Sequence, residues 1–278
     1  MPSSAARTFT DPDDYATSIR ATRVELTVMG RGHFTAKLTR IDLHRLWMQR
    51  FFDNLPRVAH SAPRSGRAII SFRTAPGPGF LWSGVEMQPT GIMRHSEGKN
   101  SFQHTAGSAC WGAMSLSVED MVSVGAAMAG CDLTPPKDAL IVIPLPAAMA
   151  RLQRLHVAAG RLAEEAPEII ANPDAARGLE QALIEAMIGC LSQGEVGEDS
   201  VARRQHELIM RRFRRVWRKI PTTRSFSRNS ARLSGCRIGH CGYAARSIWG
   251  WDQSTTCCCV ACSWRGEPCA RPPLAWQQ

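Results

Sequence analysis

Four cysteines fall within six residues in the stretch TTCCCVACSW, 255–264. Thiolates in closely spaced pairs are the usual ligands of a tetrahedral structural zinc. Cys259 and Cys262 form one CxxC pair, and Cys236 and Cys241 offer a looser CxxxxC partner. Three consecutive cysteines do not suit a site that takes two ligands per knuckle, and disulfides would need an oxidising compartment. Elsewhere, His33, His44, His60, His95 and His104 stand singly, with no H-x-H followed by an acid. No Walker loop, dinucleotide fingerprint, HExxH or nucleophile elbow occurs. The expectation is a non-enzyme without cofactor or resident metal. The zinc set Cys236, Cys241, Cys259 and Cys262 belongs to a rival reading, a small-molecule-binding protein with a zinc-stabilised basic tail.

A small-molecule pocket is the other chemistry in view. Phe72 lies in an alternating strand and Trp82 follows the PGPG turn at 76–79, so either could line a barrel interior. The bland reading is that both are core, as buried aromatics usually are. His156 and Arg154 are expected on a solvated helix face. Cys110, Cys131 and Cys190 are expected to act as small buried residues.

The elements that would position these residues divide the chain unevenly. Residues 1–217 carry 25 basic and 22 acidic residues, whereas residues 218–278 carry 9 and 2. Seven of the ten cysteines also lie in that short tail, which contains no methionine and two leucines. Its few apolar residues cannot offset ordering entropy, so 219–278 is predicted to be disordered. Residues 1–19 read as a polar lead-in, with DPDD at 11–14 as a turn or helix cap. From 20 to 133 the pattern is β-rich: VELTV, FTAKLTRIDL, WMQRFF, RAIISFRT and GFLWSGVEM follow as short strands, with Arg31-Gly32 suited to a hairpin turn. Ser117 caps a helix through Met128. Residues 134–218 read as a helical linker and dimerisation region. One helix spans 147–171, a second opens at Pro173-Asp174 and a third starts near Asp199. The fold class expected is α+β. Nothing resembles a secretory signal, and the apolar run ALIVIPLPAAMA is broken by Pro144 and Pro146, so a cytoplasmic protein without membrane contact is expected.

The genetic code offers another explanation for the tail. Cys is TGT or TGC and Trp is TGG, so, read from the last base of the preceding codon, each becomes Leu, Met or Val. Some outcomes are forced. His240–Cys241, Cys257–Cys258 and Cys258–Cys259 must each give Leu, while Trp249–Gly250 and Trp251–Asp252 must each give Gly. One permitted decoding of 224–270 contains ELCAAIGVSDRTLRLRCQEHLG and GMGPKHYLLLRRMQLARRALR. These resemble the first helix-turn-helix, and the G-x-[ST]-P-x-x-Y element with its connecting helix, of the AraC/XylS family of bacterial transcriptional regulators. In the printed frame, HELIMRRFRRV resembles the helix preceding that domain. FTDPDDYATSI, LHRLWMQRFFDNLPR, LWSGVEMQPTGIMRHSEG and GSACWGAMSLSVEDM resemble the family's sensory half, covering about residues 8–217.

The resemblance implies a cupin-like N-terminal half that binds an effector or mediates dimerisation, joined by helices to a DNA-binding half. Promoter DNA is the partner of the intact family. The printed chain lacks the helix-turn-helix pattern, so no base-reading residue carries over and specific DNA binding is expected to be lost. A homodimer and an unidentified small effector are the remaining partners implied.

Overall fold

Alternation of side chains across a strand lets one face of a sheet pack while the other does something else. The computed structural model describes residues 1–196. In chain order these form β1 (Ser3–Phe9), α1 (Pro12–Thr17), β2 (Thr22–Val28), β3 (Ala36–Asp42), β4 (Trp47–Asp53), β5 (Arg57–Pro63) and β6 (Arg67–Arg73). Short strands β7 (Phe80–Trp82), β8 (Val85–Glu86) and β9 (Ile92–Arg94) follow, then β10 (Ser101–Thr105) and β11 (Ala109–Ser117). The remainder is α2 (Val118–Ala129), β12 (Leu140–Ile143), α3 (Pro146–Glu165), α4 (Pro167–Ala171), α5 (Pro173–Ser192) and β13 (Glu195–Val196). An eight-stranded sheet, β1-β3-β4-β11-β6-β9-β12-β13, and a five-stranded sheet, β2-β5-β10-β7-β8, are antiparallel throughout. The class is α+β, a β-rich N-terminal half followed by helices, as the sequence predicts.

The main core lies between the larger sheet and the helices. Ile41, Met48, Ile70, Phe72 and Met114 from the strands meet Met149, Leu152, Leu183 and Met187 from α3 and α5. Three of the five helices begin with a side-chain cap legible in the sequence. Ser117 Oγ accepts from Asp120 N at 2.9 Å to open α2, and Asn172 Oδ1 accepts from Asp174 N and Ala175 N to open α5. Asp11 does the same for α1. No helix among the described residues is long and apolar enough to cross a membrane.

Four expectations differ from the structure. The lead-in residues are built into the fold: β1 pairs with β3 along its whole length, from Ser3–Asp42 to Phe9–Ala36, through main-chain bonds that a polar sequence does not advertise. The Arg31-Gly32 hairpin is absent, because β2 pairs with β5 in the smaller sheet while β3 pairs with β1 and β4 in the larger. The stretch read as one helix over 147–171 breaks at Ala166 (φ −147°, ψ 63°), since Pro167 pushes the preceding residue out of the helical region. The region from 134 onward is not wholly helical, because β12 pairs with β9 and β13. The third helix from Asp199, the HELIMRRFRRV segment and the tail 219–278, with its predicted disorder, lie outside the described residues.

Candidate functional site

The two sheets face each other around a cavity of about 80 Å³. Its lining follows from strand alternation. β4 contributes Gln49 and Phe51, and β11 contributes Trp111, Ala113 and Ser115, each set two residues apart. Ile69 and Ser71 on β6 complete that wall. The opposite wall is Thr22, Val24 and Leu26 from β2, Arg57, Ala59 and Ser61 from β5, and Gln103 from β10. Tyr15 and the Ile19–Thr22 segment, which joins α1 to β2, also line it.

That segment is tied down through its main chain. Gln49 Oε1 accepts from Arg20 N at 2.9 Å, and Gln49 Nε2 donates to Arg20 O at 3.2 Å. Arg20 also pairs with Asp42, and its guanidinium stands over the Trp47 ring. Ala21 is held at φ 62°, a left-handed conformation that costs an alanine about 1–2 kcal/mol.

Polar groups inside the cavity are desolvated. His95 Nε2 and Ser71 Oγ share a hydrogen bond at 2.8 Å, and burial lowers the His95 pKa to about 4, so the ring is neutral at pH 7. Arg57 Nε donates to Asp53 Oδ2 at 2.8 Å, a pair that spans the two sheets. Burial raises the Asp53 pKa against the opposing pull of Arg57. Burial, with the Asp53 charge next, pushes the Tyr15 phenol well above its usual range. Asp53 Oδ1, Arg57 Nη1, Trp111 Nε1 and Thr22 Oγ1 are buried without a hydrogen-bond partner among the described residues.

The residues singled out from sequence fall elsewhere. Phe72 is fully buried on the opposite face of β6, where its ring meets His156 edge-on at 5.1 Å. Trp82 packs with Phe80, Val85 and Met87 beside the cavity, just before a turn that uses the positive φ of Ser83 (46°) and Gly84 (83°). Neither ring is in the lining. His156, expected on a solvated face, is completely buried because Gly112 leaves room for its ring beneath α3. Arg154 is exposed, Cys190 is buried, and Cys110 and Cys131 are half-buried. Among the described residues no three His, Cys, Asp or Glu side chains converge as a metal site. Cys236, Cys241, Cys259 and Cys262 lie outside the described residues. Sequence reading missed the polar lining itself, Arg57, Gln49, Ser71 and Trp111. The alternation of WMQRFF held Gln49 on one face, but β5 and β11 gave no sign of which way they point.

No family model and no curated protein matches the chain. Among solved structures it is similar to the AraC-like transcriptional activator CuxR, at 11% identity over 88% of this chain and 89% of that one, with a TM-score of 0.47.

Proposed function

We propose that this chain is an AraC/XylS-type transcriptional regulator whose effector-sensing and dimerising half is retained and whose DNA-binding half is read out of frame after about residue 217. The observation that carries the reading is the set of forced residues. In the neighbouring frame His240–Cys241 and the Cys257–Cys259 run can give only leucines, and Trp249–Gly250 and Trp251–Asp252 only glycines, at the positions where that family's helix-turn-helix domain has them. The cavity between the sheets supports the sensing role, because it offers a partly open, largely apolar site with a few polar groups. The mechanism is effector-linked promoter binding in the frame-restored protein. In the printed chain, DNA contact reduces to the electrostatic attraction of a basic tail, which any sequence provides and salt screens. No catalytic step is assigned to it.

The test is to sequence the gene across the codons for Val216 to Arg224, and to compare the printed and frame-restored proteins on DNA from upstream of the gene. The frame-restored protein should retain its complex against competitor DNA, while the printed chain should lose its complex as salt rises. Sequence-selective binding by the printed chain would sink the proposal. So would one zinc per chain that disappears on replacing Cys259 and Cys262, which favours the zinc-stabilised alternative.

A further inference from the structure

Two side chains of the cavity lining have hydrogen-bonding groups to spare. The Gln103 amide and the Ser61 hydroxyl make no hydrogen bond among the described residues, yet both keep accessible surface on the cavity wall. Register makes them neighbours: Gln103 on β10 pairs with Ala59 on β5, and Ser61 follows two residues later, on the same face. The Ser71–His95 pair lies alongside, since the His95 ring stands 6.2 Å from that of Trp82, the strand partner of Gln103. Whichever tautomer His95 adopts, its bond to Ser71 leaves that hydroxyl with either its O–H or its lone pairs free. This part of the wall thus offers an amide and two hydroxyls, groups that donate and accept but carry no charge.

The charged residues among the described lining are Arg20 and Arg57, and each is already paired, with Asp42 and Asp53. The unpartnered donor Arg57 Nη1 is matched by the unpartnered acceptor Asp53 Oδ1. No surplus charge of either sign faces the cavity, so an ion entering it would lose hydration without gaining a counter-ion. Much of the remaining wall is apolar: Val24, Leu26, Phe51, Ile69 and Ala113. Such a wall gives water too few partners to hold it in place. Size limits the part of any ligand that is enclosed: the cavity's 80 Å³ is smaller than the ~150 Å³ void that admits benzene.

We infer that the cavity takes a small uncharged molecule, a short-chain alcohol or primary amide, with its polar head bonded to Gln103 and Ser61 and its hydrocarbon tail between the two sheets. This rests on the reading of the cavity as the effector site and names the chemistry of the effector.

The experiment titrates the full chain with n-butanol and butyramide, against butyrate, butylammonium and n-butyl chloride, at matched ionic strength. Binding is read by NMR as saturable methyl shifts at Val24, Leu26 and Ile69. The alcohol and the amide should bind, and the two ions at least about tenfold more weakly, since neither charge finds a partner. n-Butyl chloride keeps the tail without the head and should bind about fivefold more weakly than n-butanol, the scale of one neutral hydrogen bond. Gln103→Leu keeps the bulk and removes the amide. Combined with Ser61→Ala, it should erase the preference for n-butanol over n-butyl chloride. If the double variant does not fold, Gln103→Leu alone decides, because that side chain is half-buried and holds nothing else in place. Either ion binding as tightly as n-butanol would overturn the proposal, as would a preference that survives the loss of both side chains. Absence of any saturable shift would overturn it too. The regulator reading would then stand or fall on the DNA comparison alone.

Discussion

Gly112 decides how closely α3 can approach the larger sheet. A Cβ at this position would stand 2.7 Å from His156 Cε1, 2.8 Å from its Nε2 and 2.9 Å from Thr74 Cγ2. The imidazole is completely buried and packs edge-on against Phe72, the cross-strand neighbour of Gly112, which limits its room to shift. Gly112→Ala should therefore cost about 1–3 kcal/mol by overpacking. Urea unfolding would show a lower midpoint at unchanged slope. Adding His156→Ala should recover part of the loss, which a double-mutant cycle would register as coupling. Equal stability of Gly112→Ala and the parent would show that β11 shifts freely, contrary to this account. A glycine inside a strand does signal close approach of another group, so half of this contact was legible in GSACWGAMSLS. The other half was not, since nothing near Gly112 in sequence points to His156. Phe72 and Trp82 fail as cavity residues for a related reason. Composition marks a large aromatic as buried, but which face it takes depends on whether the strand turns that residue toward the other sheet or toward the helices.

A buried carboxylate ties α5 to the turn between β3 and β4. Glu180 on α5 is 5% exposed, and its Oε1 accepts from Arg45 N at 2.6 Å and Leu46 N at 2.9 Å, in the turn linking β3 to β4. Arg45 also approaches it with its guanidinium. Glu180→Ala would leave two main-chain donors without a partner and should cost about 2–4 kcal/mol, while Glu180→Gln, which keeps an acceptor, should cost about half as much. Hydrogen exchange at Leu46 should accelerate in the alanine variant. Unchanged exchange would show that the turn holds without Glu180. Helices of this kind were legible because their caps are local: Ser117, Asn172 and Asp11 each bind main-chain donors two or three residues away. Strand partners were not. The alternation of VELTV and FTAKLTRIDL is correct in both, yet the two strands belong to different sheets. Strand β11 escaped detection altogether, because one face meets the cavity and the other the helices, so Trp111 to Leu116 are all buried and show no apolar–polar alternation.

For the molecule as a whole, burial of titratable groups sets the pH range of folding. His95 and His156 are held neutral, with pKa values lowered to about 4 and about 3, by burial in both and then by Arg50 beside His156. Backbone groups of Gln49 and Ala113 oppose the shift at His156 only in part. The unfolded chain takes up a proton on each ring below about pH 6.5, whereas the folded chain does not until those lower values. The unfolded state thus binds more protons in between, and stability is lost as pH falls through that window. Each histidine contributes a slope of about 1.4 kcal/mol per pH unit once its unfolded form is fully titrated, and His104, lowered by burial, adds to it. Asp53 acts in the opposite sense, because its raised folded pKa means that the native state takes its proton first. That gain comes only as pH falls through the Asp53 folded pKa, and one carboxyl does not cancel three histidines. At alkaline pH the sign reverses for Cys190, whose thiol is pushed up to about 12 by burial, so stability falls as pH rises above about 9. The expected profile has its plateau between roughly pH 7 and 9 and descends steeply between pH 6 and 5. Urea midpoints at pH 8, 6 and 5 would trace it, and His156→Leu should remove about 1.4 kcal/mol per pH unit of the acid slope. A flat profile from pH 8 to 5 would mean that both rings reach water or a partner in the folded chain, and that the cavity and the α3 interface are wetter than this packing allows.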